Sequence, residues 1–153
     1  MVQLRTYTVT DAAGCCAVIR ACLPSLDGLD DAALSAVAAA LTPDELHAEL
    51  GPAVALVVTD STGRVLALGA IAGADLKWLY VLPNRQRQGL GTALLEALEI
   101  RARDAGLERL HLEASPGAAS FFRKMGYLGK DVVVRRAGEA AYRVVPMAKD
   151  LET

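Results

Sequence analysis

The sequence predicts an α/β fold, a mixed sheet with helices on both faces, and three observations lead there. Segments with the alternating or continuously apolar pattern of strands take turns along the chain with segments of helical period. Turn and cap residues separate them at short intervals, among them Gly28, Gly51, Gly63, Gly106, Gly126 and Gly138. Finally, 53% hydrophobic against 22% charged residues gives a chain of 153 residues the apolar content for a sizeable core. The sequence contains no internal repeat, low-complexity run or linker, so one domain over residues 1–153 is expected.

Val2 to Val9 alternates as a first strand. Asp11 is placed to cap a helix from Ala12 to Leu23, which Pro24 stops. After a break at Gly28 to Asp31, Leu34, Val37 and Leu41 recur at helical spacing. Thr42-Pro43-Asp44-Glu45 is a helix start, with Thr42 as cap, Pro43 at the first position and Glu45 completing a capping box; Gly51 closes that helix. Ala53 to Thr59 and Arg64 to Ala72 are apolar runs of strand length joined by Asp60-Ser61-Thr62-Gly63, the pattern of an antiparallel hairpin. Leu76 to Leu82 continues the meander and ends at Pro83. From Thr92 the period becomes helical: Leu94, Leu95, Leu98 and Ala102 share one face, Glu96, Glu99 and Arg103 the opposite one, and Gly106 caps the end. Arg109 to Ala114 is a strand, Ser115-Pro116 opens a short helix to Met125 that Gly126 ends, and Val132–Arg136 with Tyr142–Met147 makes a hairpin around Gly138.

A net charge of −2 gives no electrostatic footprint for nucleic acid. Uncharged runs fall short of the roughly 18 residues a membrane span needs. The opening stretch MVQLRTYTVTD lacks the apolar core of a secretory signal, so a cytoplasmic protein is expected. Cys15, Cys16 and Cys22 fall in one helix, neither histidine is close in sequence, and the reading is reduced core thiols with no metal site.

The stretch Asp75 to Arg103 carries the chemistry. A strand runs into a loop holding Gly89 and Gly91, and the loop runs into a helix start. The first turn of a helix has amides without internal partners, and the macrodipole adds partial positive charge there. Glycines let a phosphate approach those amides, and Arg85 and Arg87 add full charge, so a pyrophosphate is the natural guest. No Lys-Ser/Thr pair follows as a P-loop needs, and Leu94 stands where a dinucleotide fingerprint wants a small residue. Spacing alone therefore says phosphate without saying which ligand.

Gln86-Arg87-Gln88-Gly89-Leu90-Gly91 resembles the R/Q-x-x-G-x-G/A signature of the GCN5-related N-acetyltransferases (GNAT), in which the loop holds the pyrophosphate of acetyl-CoA. Glu113 to Tyr127, EASPGAASFFRKMGY, is similar to that family's next motif, and Leu79-Tyr80-Val81-Leu82-Pro83 to its strand-to-loop passage. The resemblance implies a mostly antiparallel central sheet with one splayed parallel pair, and an acetyl-CoA-dependent N-acetyltransferase acting by direct transfer. The acceptor it implies is a small-molecule amine or a peptide or protein amine; a homodimer would be in keeping.

Residue by residue, the resemblance implies that backbone groups at Leu79, Tyr80 and Val81 orient the pantetheine and polarise the acetyl carbonyl. Gln86, Arg87, Gln88, Gly89, Leu90, Gly91 and Thr92 form the pyrophosphate loop. Ser115 is placed to cap the following helix or to touch the pantetheine arm, and Arg123 and Lys124 to meet the 3′-phosphate or to stand solvated on an exposed helix face. Asp75 is the first candidate for the base that deprotonates the amine, with Glu113 and His111 next. Phe122 stands where the family commonly has a tyrosine that donates to the departing sulfur. A thiol with a pKa near 8.5 leaves without that help, but the substitution motivates a second reading, a non-catalytic acyl-CoA-binding or sensor module. Trp78 and Phe121 read as core residues, Tyr80 as core or cleft.

Overall fold

A computed structural model describes residues 1–151. The strands are β1 (Val2–Thr6), β2 (Val54–Asp60), β3 (Val65–Ala72), β4 (Asp75–Val81), β5 (Arg109–Ala114), β6 (Val133–Ala137) and β7 (Ala140–Asp150). The helices are α1 (Ala12–Cys22), α2 (Asp31–Ala40), α3 (Pro43–Leu50), α4 (Leu90–Asp104) and α5 (Ala119–Lys124). They build a seven-stranded sheet in the order β1-β2-β3-β4-β5-β7-β6. Only β4 and β5 run parallel, as the splayed pair expected from the resemblance. In β3 every residue from Val65 to Ile71 is buried, which requires cover on both faces of the sheet, and α1 and α4 both pack on this strand. One continuous core joins α1, α3 and α4 to β2–β5 and β7.

Several local readings shift. β1 stops at Thr6 rather than Val9, because the chain turns through Val9–Asp11. Asp11 stands at the N-cap position of α1 but its side chain makes no cap bond there: the carboxylate is buried, takes the Thr8 amide at 2.8 Å and pairs with both terminal nitrogens of Arg5 at 2.8 Å. Thr42 does cap α3, accepting from the Glu45 amide, but its own amide goes to Ala40 O instead of closing a capping box. Gly51 follows α3 in right-handed helical geometry, φ −56°, so a left-handed cap is not what ends that helix.

The largest departure concerns Glu99. Helical periodicity puts it on the polar face of α4, yet it is 3% exposed, because Tyr127 and Lys149 reach it from the distant end of the chain. All three cysteines are buried free thiols within α1. Among the described residues, no helix is long and apolar enough to cross a membrane.

Candidate active site

The site starts with an irregularity in β4. Ala70 pairs with Trp78 while Ile71 pairs with Leu76, so Lys77 is an extra residue on this strand. A bulge bends its strand and breaks the ladder. Parallel pairing of β4 with β5 covers Asp75–His111 and Leu76–Leu112 and stops there, at the bulge. Beyond it the two strands part, and a cavity of about 950 Å³ opens between them.

The bulge also sets which polar groups face the gap. The Leu82 amide donates to Leu66 O across the β3–β4 ladder, in register with Tyr80 opposite Leu68. Antiparallel alternation then commits the main-chain groups of Tyr80 to β3 and turns those of Leu79 and Val81 toward the gap. Val81 O is met there by the Gln86 side-chain amide at 3.1 Å and by the Cys22 thiol at 3.2 Å.

At the end of β4 the chain makes a short turn over Pro83–Arg85 and enters α4 through Arg87, with φ 63°, and Gly89, with φ 84°. Gly89 is the residue for which this matters, since a left-handed φ is cheap only without a Cβ. Space around it is open: a Cβ there would meet nothing within 4 Å. Among the described residues, no protein acceptor engages the amides from Arg87 to Thr92, and the first loop-to-helix bond is the Ala93 amide to Gly89 O. A row of free N–H groups at a helix start, flanked by Arg85 and Arg87, fits a pyrophosphate.

The cavity brings together most of the residues singled out in the sequence: Leu79, Tyr80, Val81, Gln86, Arg87, Gly89, Leu90, Gly91, Thr92, Ser115 and Phe122 all line it, as does Glu113. Gln88, Arg123 and Lys124 do not, and Arg123 Nε is engaged with Gly129 O at 3.2 Å. Ser115 makes no side-chain cap, so its hydroxyl is free of the helix it precedes. Trp78 and Phe121, read as core, are half-buried and face the cavity as well. Burial raises the pKa of Tyr80, keeping its hydroxyl neutral.

The two carboxylates expected as bases are separated by the fold. Asp75 begins β4 opposite Ala72 and His111, on the paired side of the bulge, and does not line the cavity; neither does His111. Glu113 does line it, with Oε2 held by Arg135 at 2.6 and 3.0 Å. No protein donor reaches Glu113 Oε1 among the described residues. Phe122 is buried edge-on between Phe121 and Tyr127, at centroid distances of 5.1 and 5.8 Å.

One wall was illegible in the sequence. The segment between α1 and α2 is stitched to β7 by the Arg143 amide on Gly28 O at 2.7 Å and by the Ala141 amide on Asp30 Oδ2 at 3.0 Å. Asp30 Oδ1 meanwhile caps α2 at the Ala33 amide, 2.8 Å. This anchorage holds Leu26, Asp27 and Leu29 against the cavity, where Val37, Tyr142 and Val144 join them. Gly28-Leu29-Asp30 carried only a break signal, because its partners lie more than a hundred residues away.

Residues 26–151 match the family model described as an acetyltransferase (GNAT) domain. A GCN5-related N-acetyltransferase from Rhodopseudomonas palustris, described as an aminotransferase of class II, is 30% identical with a TM-score of 0.87, covering 97% of this chain and 95% of that one. PaiA N-acetyltransferase from Thermoplasma acidophilum, solved in complex with coenzyme A, superposes at a TM-score of 0.78 with 16% identity, covering 98% and 99%. YncA of Salmonella typhimurium, solved with its cofactor acetyl-CoA, gives 0.71 and 18%, covering 100% and 95%. With its sheet parted at a bulge, its open amide row and this match over most of its length, the chain belongs to the GCN5-related N-acetyltransferase family.

Proposed function

We propose that the protein is an acetyl-CoA-dependent N-acetyltransferase that moves the acetyl group directly to a primary amine. One observation carries this reading: the free amides that start α4 and the gap between β4 and β5 open into the same cavity. Acetyl-CoA supplies an activated acyl group on a thiol that leaves readily at neutral pH. The open amides of Gln88 to Thr92, with Arg85 and Arg87, hold the pyrophosphate. The gap-facing groups of Leu79 and the gap-facing amide of Val81 orient the pantetheine arm and polarise the acetyl carbonyl.

Glu113 is the base we carry forward, since of the two expected carboxylates it alone borders the cavity. Its Oε1 receives the amine's proton while Arg135 fixes the other oxygen. Asp75, on the paired side of the bulge, does not line the cavity. No thiol nucleophile is invoked: burial raises the pKa of Cys22, and its proton is spent on Val81 O.

The test is release of CoA thiol from acetyl-CoA in the presence of a broad amine and peptide panel. Turnover with at least one amine, and no acetylated cysteine by mass spectrometry after acetyl-CoA alone, is expected. Phe122 favours the second reading, a non-catalytic acyl-CoA-binding module, because phenylalanine has no proton for the sulfur and the nearby Tyr127 hydroxyl is committed to Glu99. Tight CoA binding with no turnover across the panel would select it.

A further inference from the structure

We propose that Asp27 is the anchor for the acceptor's ammonium group, and that the acceptor is a primary amine with an apolar body and no carboxylate beside the amine. This rests on the acetyltransferase reading and names the substrate class of the same cavity.

Asp27 does not sit on a loose loop. The bonds of Gly28 and Asp30 to β7, one residue and three residues on, fix the backbone that carries it. From that wall its carboxylate reaches across to the start of the turn after β5, where Oδ1 accepts the Gly117 amide at 3.1 Å. Gly117 makes room for this approach, since a Cβ there would lie 3.2 to 3.4 Å from the Asp27 carboxylate atoms. Oδ2 has no protein donor among the described residues, and no cation lies within ion-pair distance of either oxygen.

Asp27 thereby differs from the cavity's other carboxylate. Glu113 is already ion-paired through Oε2 with Arg135 at 2.6 Å. Lys77, Arg85, Arg87 and Arg143 also border the cavity, yet none pairs with Asp27. Asp27 is exposed at the rim of the cleft, and an unpaired carboxylate there attracts a cation. Apolar side chains are at hand: Leu26, Leu29, Val37 and Tyr142 line the same cavity, and Val37 is 36% exposed although apolar. An ammonium on Asp27 with an apolar body against these four satisfies both. A carboxylate next to the amine would be placed against Asp27 and repelled.

Binding is measured by calorimetry with 2-phenylethylamine and with phenylalanine titrated into the CoA-loaded protein, wild type and Asp27→Asn. Asparagine keeps an oxygen for the Gly117 amide, so a purely structural role predicts no change. The charge role predicts at least tenfold weaker binding of 2-phenylethylamine to Asp27→Asn, with CoA affinity held or strengthened. It also predicts phenylalanine at least tenfold weaker than 2-phenylethylamine on wild type, a preference that shrinks in the variant. Amine affinity unchanged by Asp27→Asn, equal binding of the two ligands, or no amine binding to the wild-type complex would each overturn the proposal. Because CoA replaces acetyl-CoA, turnover is not required. Asp27-dependent amine binding without catalysis would sink the transferase reading and leave the anchor standing.

Discussion

Tyr127 donates a 2.8 Å hydrogen bond to Glu99 Oε2 in the interior, and both oxygens of that carboxylate also receive Lys149 Nζ, at 3.0 and 3.2 Å. Lys149 completes its coordination on Met125 O at 2.8 Å. One buried carboxylate thus ties α4, which presents the amide row, to the end of α5 and to β7. Burial first, then the neighbouring carboxylate, pushes the Tyr127 hydroxyl pKa well above its ordinary value.

Removing parts of this network should cost unequally. Tyr127→Phe deletes one donor to a charged group and is expected to lower stability by about 1.5–3 kcal/mol. Glu99→Ala strands the Lys149 ammonium and the tyrosine hydroxyl together, and should cost about 3–5 kcal/mol. Urea unfolding of both variants checks the order; equal urea midpoints for wild type and Glu99→Ala would mean that the network adds nothing.

At the start of α4, Gly89→Ala and Gly89→Glu separate strain from charge. Alanine has open space, so its expected cost is backbone strain alone, about 1–2 kcal/mol of stability. Glutamate adds a carboxylate beside the bound phosphates, and CoA affinity should fall roughly a hundredfold, about 2.7 kcal/mol. Calorimetry with CoA reads the difference, and a Glu variant that binds like the Ala variant would remove the phosphates from this loop.

Acid stability should report on Asp11. The Arg5 guanidinium holds its carboxyl below the usual carboxylate range, against the opposing effect of burial. A folded-state pKa below the unfolded value of about 3.9 means stability that is fully present above that pH. It is lost as pH falls through the depressed folded value. Asp11→Asn should therefore be less stable than wild type at pH 6, and the gap should narrow as melting is followed to pH values below about 3.9. A gap independent of pH would rule out the ion pair as its source.

The thiols of α1 should resist alkylation. Burial pushes Cys15 up to about 12 and also raises Cys16 and Cys22, so little thiolate exists at pH 8. Iodoacetamide at that pH should leave all three unmodified in the native protein and label all three in denaturant, as read by intact mass. Labelling of the native Cys22 that CoA suppresses would instead show that the cleft exposes it.

Much of the molecule was legible because it is written in short-range terms. The apolar periods of two and of three to four residues located the strands and helices, and the glycines of the Gln86–Gly91 loop, next to a helix start, marked a candidate anion site. What failed, failed where partners are distant. Asp11 reads as a cap from its neighbours, but Arg5 and Thr8 claim it once β1 docks. Trp78 and Phe121 read as core and do pack against it, but only the parting of β4 from β5 also puts them on a cavity wall.

By itself the sequence determined the order of elements, the glycine loop that leads into α4 and, through its motifs, the family, since each depends on residues a few positions apart. Tertiary structure alone decided where the cleft opens, because that depends on the unmatched Lys77 against β3. It also decided that Glu99 goes inside, and that Asp27 meets a residue 90 positions away. Contacts of that length leave no local pattern: a side chain's burial and charge environment are set by whichever segments fold against it, and no periodicity records them.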